Sequence, residues 1–247
     1  MTRTAAAGAI LAMLLASASV LAVTERPTEQ ADIDPTNVNS LQRGARNFMN
    51  YCAGCHSAKY VRYKTIGKYL GLSEDQLIEN LMFNAEKTFE TVQVSMRPRD
   101  GEQWFGKTPP DLSLMARARG ADYVYSFLKG FYLDPESPTG VDNIVLPGTS
   151  MPHVLWELQG YQVADYSEHE EQGVVSRHFE GFEPFTEGSM DAEDFDAFVR
   201  DTTNFLAYIA EPIRADRRKI GVWVMVYLIV FLIIARMLKK QIWKDVK

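Results

Sequence analysis

Asn50-Tyr51-Cys52-Ala53-Gly54-Cys55-His56-Ser57 holds both cysteines of this 247-residue chain, two residues apart and followed at once by a histidine. C-x-x-C-H is the pattern by which a haem is joined to protein. One turn of backbone sets the two thiols beneath the two vinyl groups of a porphyrin, where each forms a thioether. The adjacent imidazole then reaches the iron from the proximal side. Three other uses of such a pair compete. A disulfide across two residues is strained and closes a loop too short to be useful. A thioredoxin-type redox pair expects a strand–helix–strand context that is absent here. A zinc site needs further ligands, and there is no second cysteine pair. The residues therefore predict one covalently bound haem c with its iron, held by Cys52, Cys55 and His56. Attachment of this kind takes place outside the cytoplasm.

Outward from this motif, both ends of the chain agree with export. Residues 5–23 are small or apolar and uncharged behind Arg3, with exits of the A-x-A type at Ala16 and Ala18 or at Val20 and Ala22. This predicts a secretory signal peptide over 1–23. A permanent N-terminal anchor could have the same length, but the alanine richness and the small-residue exit favour cleavage. At the other end, residues 220–235 carry no charge, and Met237 and Leu238 extend the stretch past Arg236. With Arg236 snorkelling, one helix of this length crosses roughly 30 Å of hydrocarbon. Trp223, Tyr227 and Trp243 suit interfacial belts. Basic residues flank both sides (Arg214, Arg217, Arg218 and Lys219 before; Arg236, Lys239, Lys240, Lys244 and Lys247 after), so the positive-inside rule orients the helix only faintly. Orientation rests on the signal peptide. The expected division is signal peptide 1–23, periplasmic cytochrome c domain 24–213, basic hinge and transmembrane anchor 214–238, and cytoplasmic tail 239–247.

The formal net charge of −6 conceals an uneven distribution. Residues 24–213 hold 16 basic and 30 acidic side chains, a balance of −14, and residues 157–213 alone contribute −12. That sign excludes nucleic acid as a partner, since phosphate binding needs the opposite charge. A basic protein partner fits it. Helix signals begin with N-cap candidates at residues 37–40, after which Leu41, Ala45, Phe48 and Cys52 recur at helical spacing. Helical patterning continues over 60–82, broken at Gly67 and Gly71, with Ser73 capping the last segment. The Pro109-Pro110 turn is expected to open a helix running to about Arg119, with another over 121–131. Residues 135–150 read as loop, and 191–210 as an amphipathic helix. Between 157 and 188 there is no helical period, and the alternation allows a short hairpin at best. The fold class is mainly α: a cytochrome-c-like haem domain with loop insertions and one C-terminal transmembrane helix.

Spacing leaves the sixth iron ligand open. The remaining histidines are His153, His169 and His178, and methionines before the anchor are Met82, Met96, Met115, Met151 and Met190. Met151 stands out because it ends a Pro-Gly loop, Leu146-Pro147-Gly148-Thr149-Ser150-Met151-Pro152. Such a loop can press a thioether onto the distal face, and Pro152 stiffens its exit. Met82 and Met115 fall on helical periods, where core roles are expected. His153 competes by chemistry.

In combination these segments resemble the bacterial cytochrome c1 family, the haem subunits of the ubiquinol–cytochrome c reductase (cytochrome bc1) complex, over nearly the whole mature chain. The haem-attachment segment through Tyr60 is similar, as is Pro109-Pro110-Asp111-Leu112-Ser113 followed by Arg117-Ala118-Arg119 and Asp122-Tyr123-Val124. The Pro147-to-Pro152 loop, Ala210-Glu211-Pro212, the basic hinge and the anchor follow in family order. The resemblance implies that Met151 is the sixth ligand, that Arg119 pairs with a haem propionate, and that Pro110 and Tyr123 help to wall the pocket. It implies cytochrome b and Rieske iron–sulfur subunits as partners, and a soluble basic cytochrome c as electron acceptor. It also implies a single-pass place in a bacterial inner membrane, with the haem domain on the periplasmic side. No substrate bond is made or broken by the chain on this account. Trp104, Phe105, Gly106 and Lys107 include no asparagine where some relatives have one, so no role is transferred there. Residues 157–188 are the least family-like. Two rivals stand beside this reading: a haem enzyme or gas sensor with an open sixth site, and a membrane-tethered c-type cytochrome serving another reductase or oxidase.

Overall fold

The computed structural model describes residues 28–171 and 174–245; the expected signal peptide lies outside the described residues. Helix α1 (Val38–Tyr51) starts where the Asn37 carboxamide oxygen accepts the Ser40 N–H, satisfying one of the unpaired first-turn donors. Its apolar face, Leu41, Ala45 and Phe48, is fully buried. The chain does not leave the helix abruptly. Cys52 N–H donates to Phe48 O, and the N–H groups of Cys55 and His56 both return to Cys52 O, so the C-x-x-C-H segment is a tight turn hung on the end of α1.

Strand β1 (Ala58–Arg62) replaces the helix expected from residue 60, pairing antiparallel with the short β2 (Thr91–Val92). Helices α2 (Tyr63–Leu70) and α3 (Glu74–Leu81) follow. Gly71 ends α2 at φ +66°, and Ser73 with Gln76 forms a complete capping box for α3. Helix α4 (Pro98–Phe105) is a surprise to the sequence reading, and the helix expected from residue 108 shrinks to α5 (Met115–Arg119). The reason is local: Pro109 and Pro110 have no N–H to give, and the side chains of Asp111 and Ser113 are turned toward β1 instead. Helix α6 (Ala121–Lys129), a β3–β4 hairpin (Phe131–Leu133 with Val141–Asn143) and the single turn α7 (Trp156–Gln159) complete this half.

A second correction concerns the region that allowed only a short hairpin. Strands β5 (Gln162–Glu171) and β6 (Val174–Pro184) form a long antiparallel arm with a bulge between Asp165 and Tyr166. Tyr166 meets Phe179 across the pair at 6.0 Å between ring centroids. Charged residues interrupt the alternation, which hid the strands from a period-two reading.

The core is built by α1 against α8 (Ala192–Ala210), the helix whose Asp191 cap accepts the Asp194 N–H. Gly44 permits the crossing, because a Cβ there would stand 2.0 Å from the Asp201 carbonyl oxygen. Phe48 packs on Phe205 at 5.7 Å, each ring contributing about 1.5–3 kcal/mol of burial. Asn47, buried between the helices, donates to Phe198 O and Thr202 Oγ1. The Lys129 ammonium docks α6 onto α8 by pairing with Asp196 at 2.8 Å and Glu29 at 2.7 Å. Helix α9 (Arg214–Ile242) runs unbroken through the expected hinge and past residue 238. Its stretch Ile220–Ile242, with mean hydropathy 2.4 and no burial inside the fold, is long and apolar enough to cross a bilayer.

Candidate functional site

The turn after α1, the Pro-Pro segment, α6 and the loop before α7 face one another across a largely apolar cavity. Six of the seven residues singled out by sequence line it: Cys52, Cys55, His56, Pro110, Tyr123 and Met151. Arg119 does not. It lies exposed at the rim, its guanidinium 5.6 Å from the Tyr123 ring centroid.

His56 is oriented by the chain itself. Its Nδ1 sits 2.7 Å from the Pro110 carbonyl oxygen. A carbonyl can only accept, so Nδ1 carries the proton and Nε2 keeps its lone pair for a metal. Burial holds the imidazole pKa below its ordinary value, which favours the neutral ligand form. The Pro110 oxygen is held in turn by a strap between two segments. Leu112 N–H donates to Ser57 O, Lys59 N–H to Asp111 Oδ2, and Tyr60 N–H to Ser113 Oγ. This is what the Pro-Pro-Asp-Leu-Ser sequence does: its prolines face the pocket, and its Asp and Ser fasten it to the haem-attachment turn.

No disulfide joins the two cysteines. Burial, with the neighbouring Cys55 adding to it, pushes the Cys52 thiol up to about 12, and burial also raises Cys55. Burial in apolar surroundings argues against a reactive redox or thiolate–metal pair at these cysteines. No cluster of three or more metal-ligating His, Cys, Asp or Glu occurs among the described residues.

Met151 reaches the cavity on a loop with its own scaffold. Asp142 Oδ1 accepts the N–H groups of Gly148 and Thr149 at 2.8 and 3.2 Å, and Gly148 adopts φ +72°. The buried Asn143 accepts from Val145 and Leu146 N–H and donates to Phe127 O, tying the loop to α6. The sequence reading missed Asp142 and Asn143; an Asp-Asn pair just before a Pro-Gly loop is the turn signal that could have found them. Met115, expected in a core role, packs partly buried against the core and also lines the same cavity.

His153 is placed elsewhere. Its ring is buried, stacks on Phe131 at 5.0 Å and 9° and meets Tyr161 edge-on, and it does not line the cavity. Burial lowers its pKa to about 4. His178 lies on β6 and the backbone of His169 on β5, both in the hairpin.

Two cysteine sulfurs, an imidazole whose Nε2 is left for a metal, and a thioether, gathered in one largely apolar cavity, form a donor set that fits a haem. The site and the helical domain around it define a membrane-tethered c-type cytochrome. The chain belongs to the cytochrome c1 family, whose model matches residues 30–246. It is 44% identical to cytochrome c1 of Allochromatium vinosum over 88% of this chain and 89% of that one. It is also 38% identical to a protein named ammonia monooxygenase gamma subunit of Nitrosomonas europaea, over 88% of each chain. Cytochrome c1 of Rhodospirillum rubrum is 29% identical over 84% of this chain and 82% of that one. As a member of the family, the chain carries one covalently bound haem c and is a membrane-anchored electron-transfer subunit of the cytochrome bc1 complex.

Proposed function

We propose that the chain takes single electrons from a Rieske iron–sulfur subunit and hands them to a soluble basic cytochrome c, beside a cytochrome b subunit. Its haem domain would stand on the periplasmic side of a bacterial inner membrane. The observation that carries this reading is the single cavity that gathers Cys52, Cys55 and His56 against Met151. A haem held there would supply a one-electron couple, and His56 with Met151 would hold its iron, leaving no place for substrate. The chain does the rest. Pro110 O fixes the His56 tautomer and ring plane; Asp142 and Asn143 fix the loop that presents Met151; Tyr123 and the prolines exclude water. Arg119, exposed beside the Tyr123 ring, would meet a propionate with its fork of donors. The test is rapid mixing of ubiquinol with membranes containing the complex. The c-type haem should be reduced, then reoxidised by added cytochrome c, and loss of the Rieske subunit should leave it oxidised. Quinol reduction that persists without that subunit would contradict the route.

The loop scaffold makes its own prediction. Asp142→Ala deprives two N–H groups of their acceptor, a change worth about 1–3 kcal/mol. The reduced protein should then bind carbon monoxide measurably where wild type does not. An unchanged carbon monoxide difference spectrum would remove Asp142 from the positioning of Met151.

The anchor can be tested by ending the chain after Lys219. The haem cavity and the α1–α8 core all precede α9, so the product should be soluble and still contain haem. Fractionation of that product with membranes would contradict a single C-terminal anchor.

The hairpin suggests how the acceptor is met. Residues 162–184 carry six acidic side chains and one basic. A projecting negative arm would attract a basic cytochrome c and raise its association rate, an effect screened over about 10 Å at 0.1 M salt. Changing Glu168, Glu170 and Glu171 to Lys should slow electron transfer in stopped flow and flatten its salt dependence, with the haem potential unchanged. Equal rates and equal salt dependence would place docking elsewhere.

The name of the Nitrosomonas relative supports a second reading, in which a chain of this kind serves another membrane oxidoreductase. The proteins that accompany the chain on purification separate the two.

A further inference from the structure

A second cleft, of about 570 Å³, opens away from the haem cavity, where the haem domain meets the first turns of α9. Half of its twelve lining residues are charged: Arg117 from α5, Arg214 and Arg217 from α9, and Asp32, Asp122 and Glu211. Among the described residues, one of the three guanidiniums has a carboxylate partner. Arg217 pairs with Glu211. The side chains of Arg117 and Arg214 have no carboxylate partner among the described residues. Asp122 is already engaged, its Oδ1 accepting the Ala31 N–H at 2.9 Å.

Helix α9 sets the height of this cleft relative to a bilayer. The apolar span starts at Ile220. At about 1.5 Å of rise per residue, Arg217 stands roughly 4–5 Å and Arg214 roughly 9 Å before it. The headgroup layer on each side of the hydrocarbon is about 5–8 Å deep. Two arginines therefore lie at or just above headgroup depth, and Arg117 faces them from the haem domain. Guanidinium forks match phosphate oxygens bidentately and lose little hydration in doing so. The negative potential of anionic membrane surfaces adds to the attraction.

We propose that this cleft binds the phosphate of a membrane phospholipid headgroup, fastening the haem domain to the bilayer surface beside its own anchor. An anionic protein segment would be expected to bury apolar side chains as well, and the charged lining offers little for them. The carboxylate of Asp32 at the same cleft would accept from a headgroup with hydroxyl donors, and the acidic residues there disfavour a bare anion.

The test uses the full-length, haem-loaded chain in detergent micelles, titrated with phosphatidylglycerol and followed by native mass spectrometry. One lipid should be retained, in preference to a galactolipid that lacks phosphate. The Arg117→Gln/Arg214→Gln double variant should bind it at least about tenfold more weakly, with an unchanged haem spectrum showing that the fold is intact. Arg117→Lys, which keeps the charge and loses the fork, should fall between the two. Inorganic phosphate, offered alone at the same concentrations, should not be retained. Equal retention of the galactolipid, wild-type affinity in the double variant, or phosphate binding as tightly as the lipid would each overturn the proposal.

Discussion

Met151→Leu should lower the haem midpoint potential by on the order of 100 mV or more, within the ~0.8 V that axial ligation commands. A thioether stabilises ferrous iron, and leucine of similar volume fills the space without donating to the metal. At about 59 mV per decade for one electron, 100 mV shifts the reduction equilibrium roughly fiftyfold. The same substitution should abolish the thioether-to-iron absorption band and open the iron to carbon monoxide. His153→Ala is the control: its ring lies between Phe131 and Tyr161, outside the cavity, so ligation should survive. Redox titration and carbon monoxide difference spectra of the two variants decide the matter. A normal potential in Met151→Leu with a lowered one in His153→Ala would move the ligand. Met115, which also lines the cavity, makes a third variant informative: Met115→Leu should leave the band in place.

Replacing Cys52 and Cys55 together by Ala should abolish haem staining of the denatured protein. Both sulfurs lie in the cavity wall at the end of α1, and no disulfide joins them. Thioether bonds survive denaturation, whereas coordination through His56 and Met151 alone does not hold haem on an unfolded chain. Haem that still migrates with the denatured double variant would contradict covalent attachment at these residues. Each single variant should retain staining through the remaining thioether, at reduced yield.

How much of this was legible in advance depended on how local the determining physics was. The helices α1 and α8 announce themselves through a 3.6-residue apolar period and an Asn or Asp cap, and both lie where the period puts them. The haem attachment needs only five consecutive residues. Helix α4 was invisible because eight residues with a central glycine give no period. Gly101 is there for packing, since a Cβ would come within 2.8 Å of Pro109 Cδ. Residues 58–62 are helix-compatible alone, and become a strand because Thr91–Val92 and the side chains of Asp111 and Ser113 supply partners from far along the chain. The β5–β6 arm was legible only as a short hairpin, because charges break its alternation. Met151 and His153 differ by two residues in sequence, and only the loop geometry set by Asp142 and the stack on Phe131 separates them. The Nδ1 hydrogen bond of His56 to a carbonyl oxygen 54 positions away has no sequence signal of its own.

The most direct test of the whole account is what comes with the chain when it is withdrawn from native membranes. An affinity tag on the C-terminal side of α9, gentle detergent and redox spectroscopy of the eluate would suffice. The account predicts cytochrome b in stoichiometric amount with a covalent c-type haem that ubiquinol reduces. Elution of the haem-bearing chain with a different oxidoreductase and without cytochrome b would contradict it.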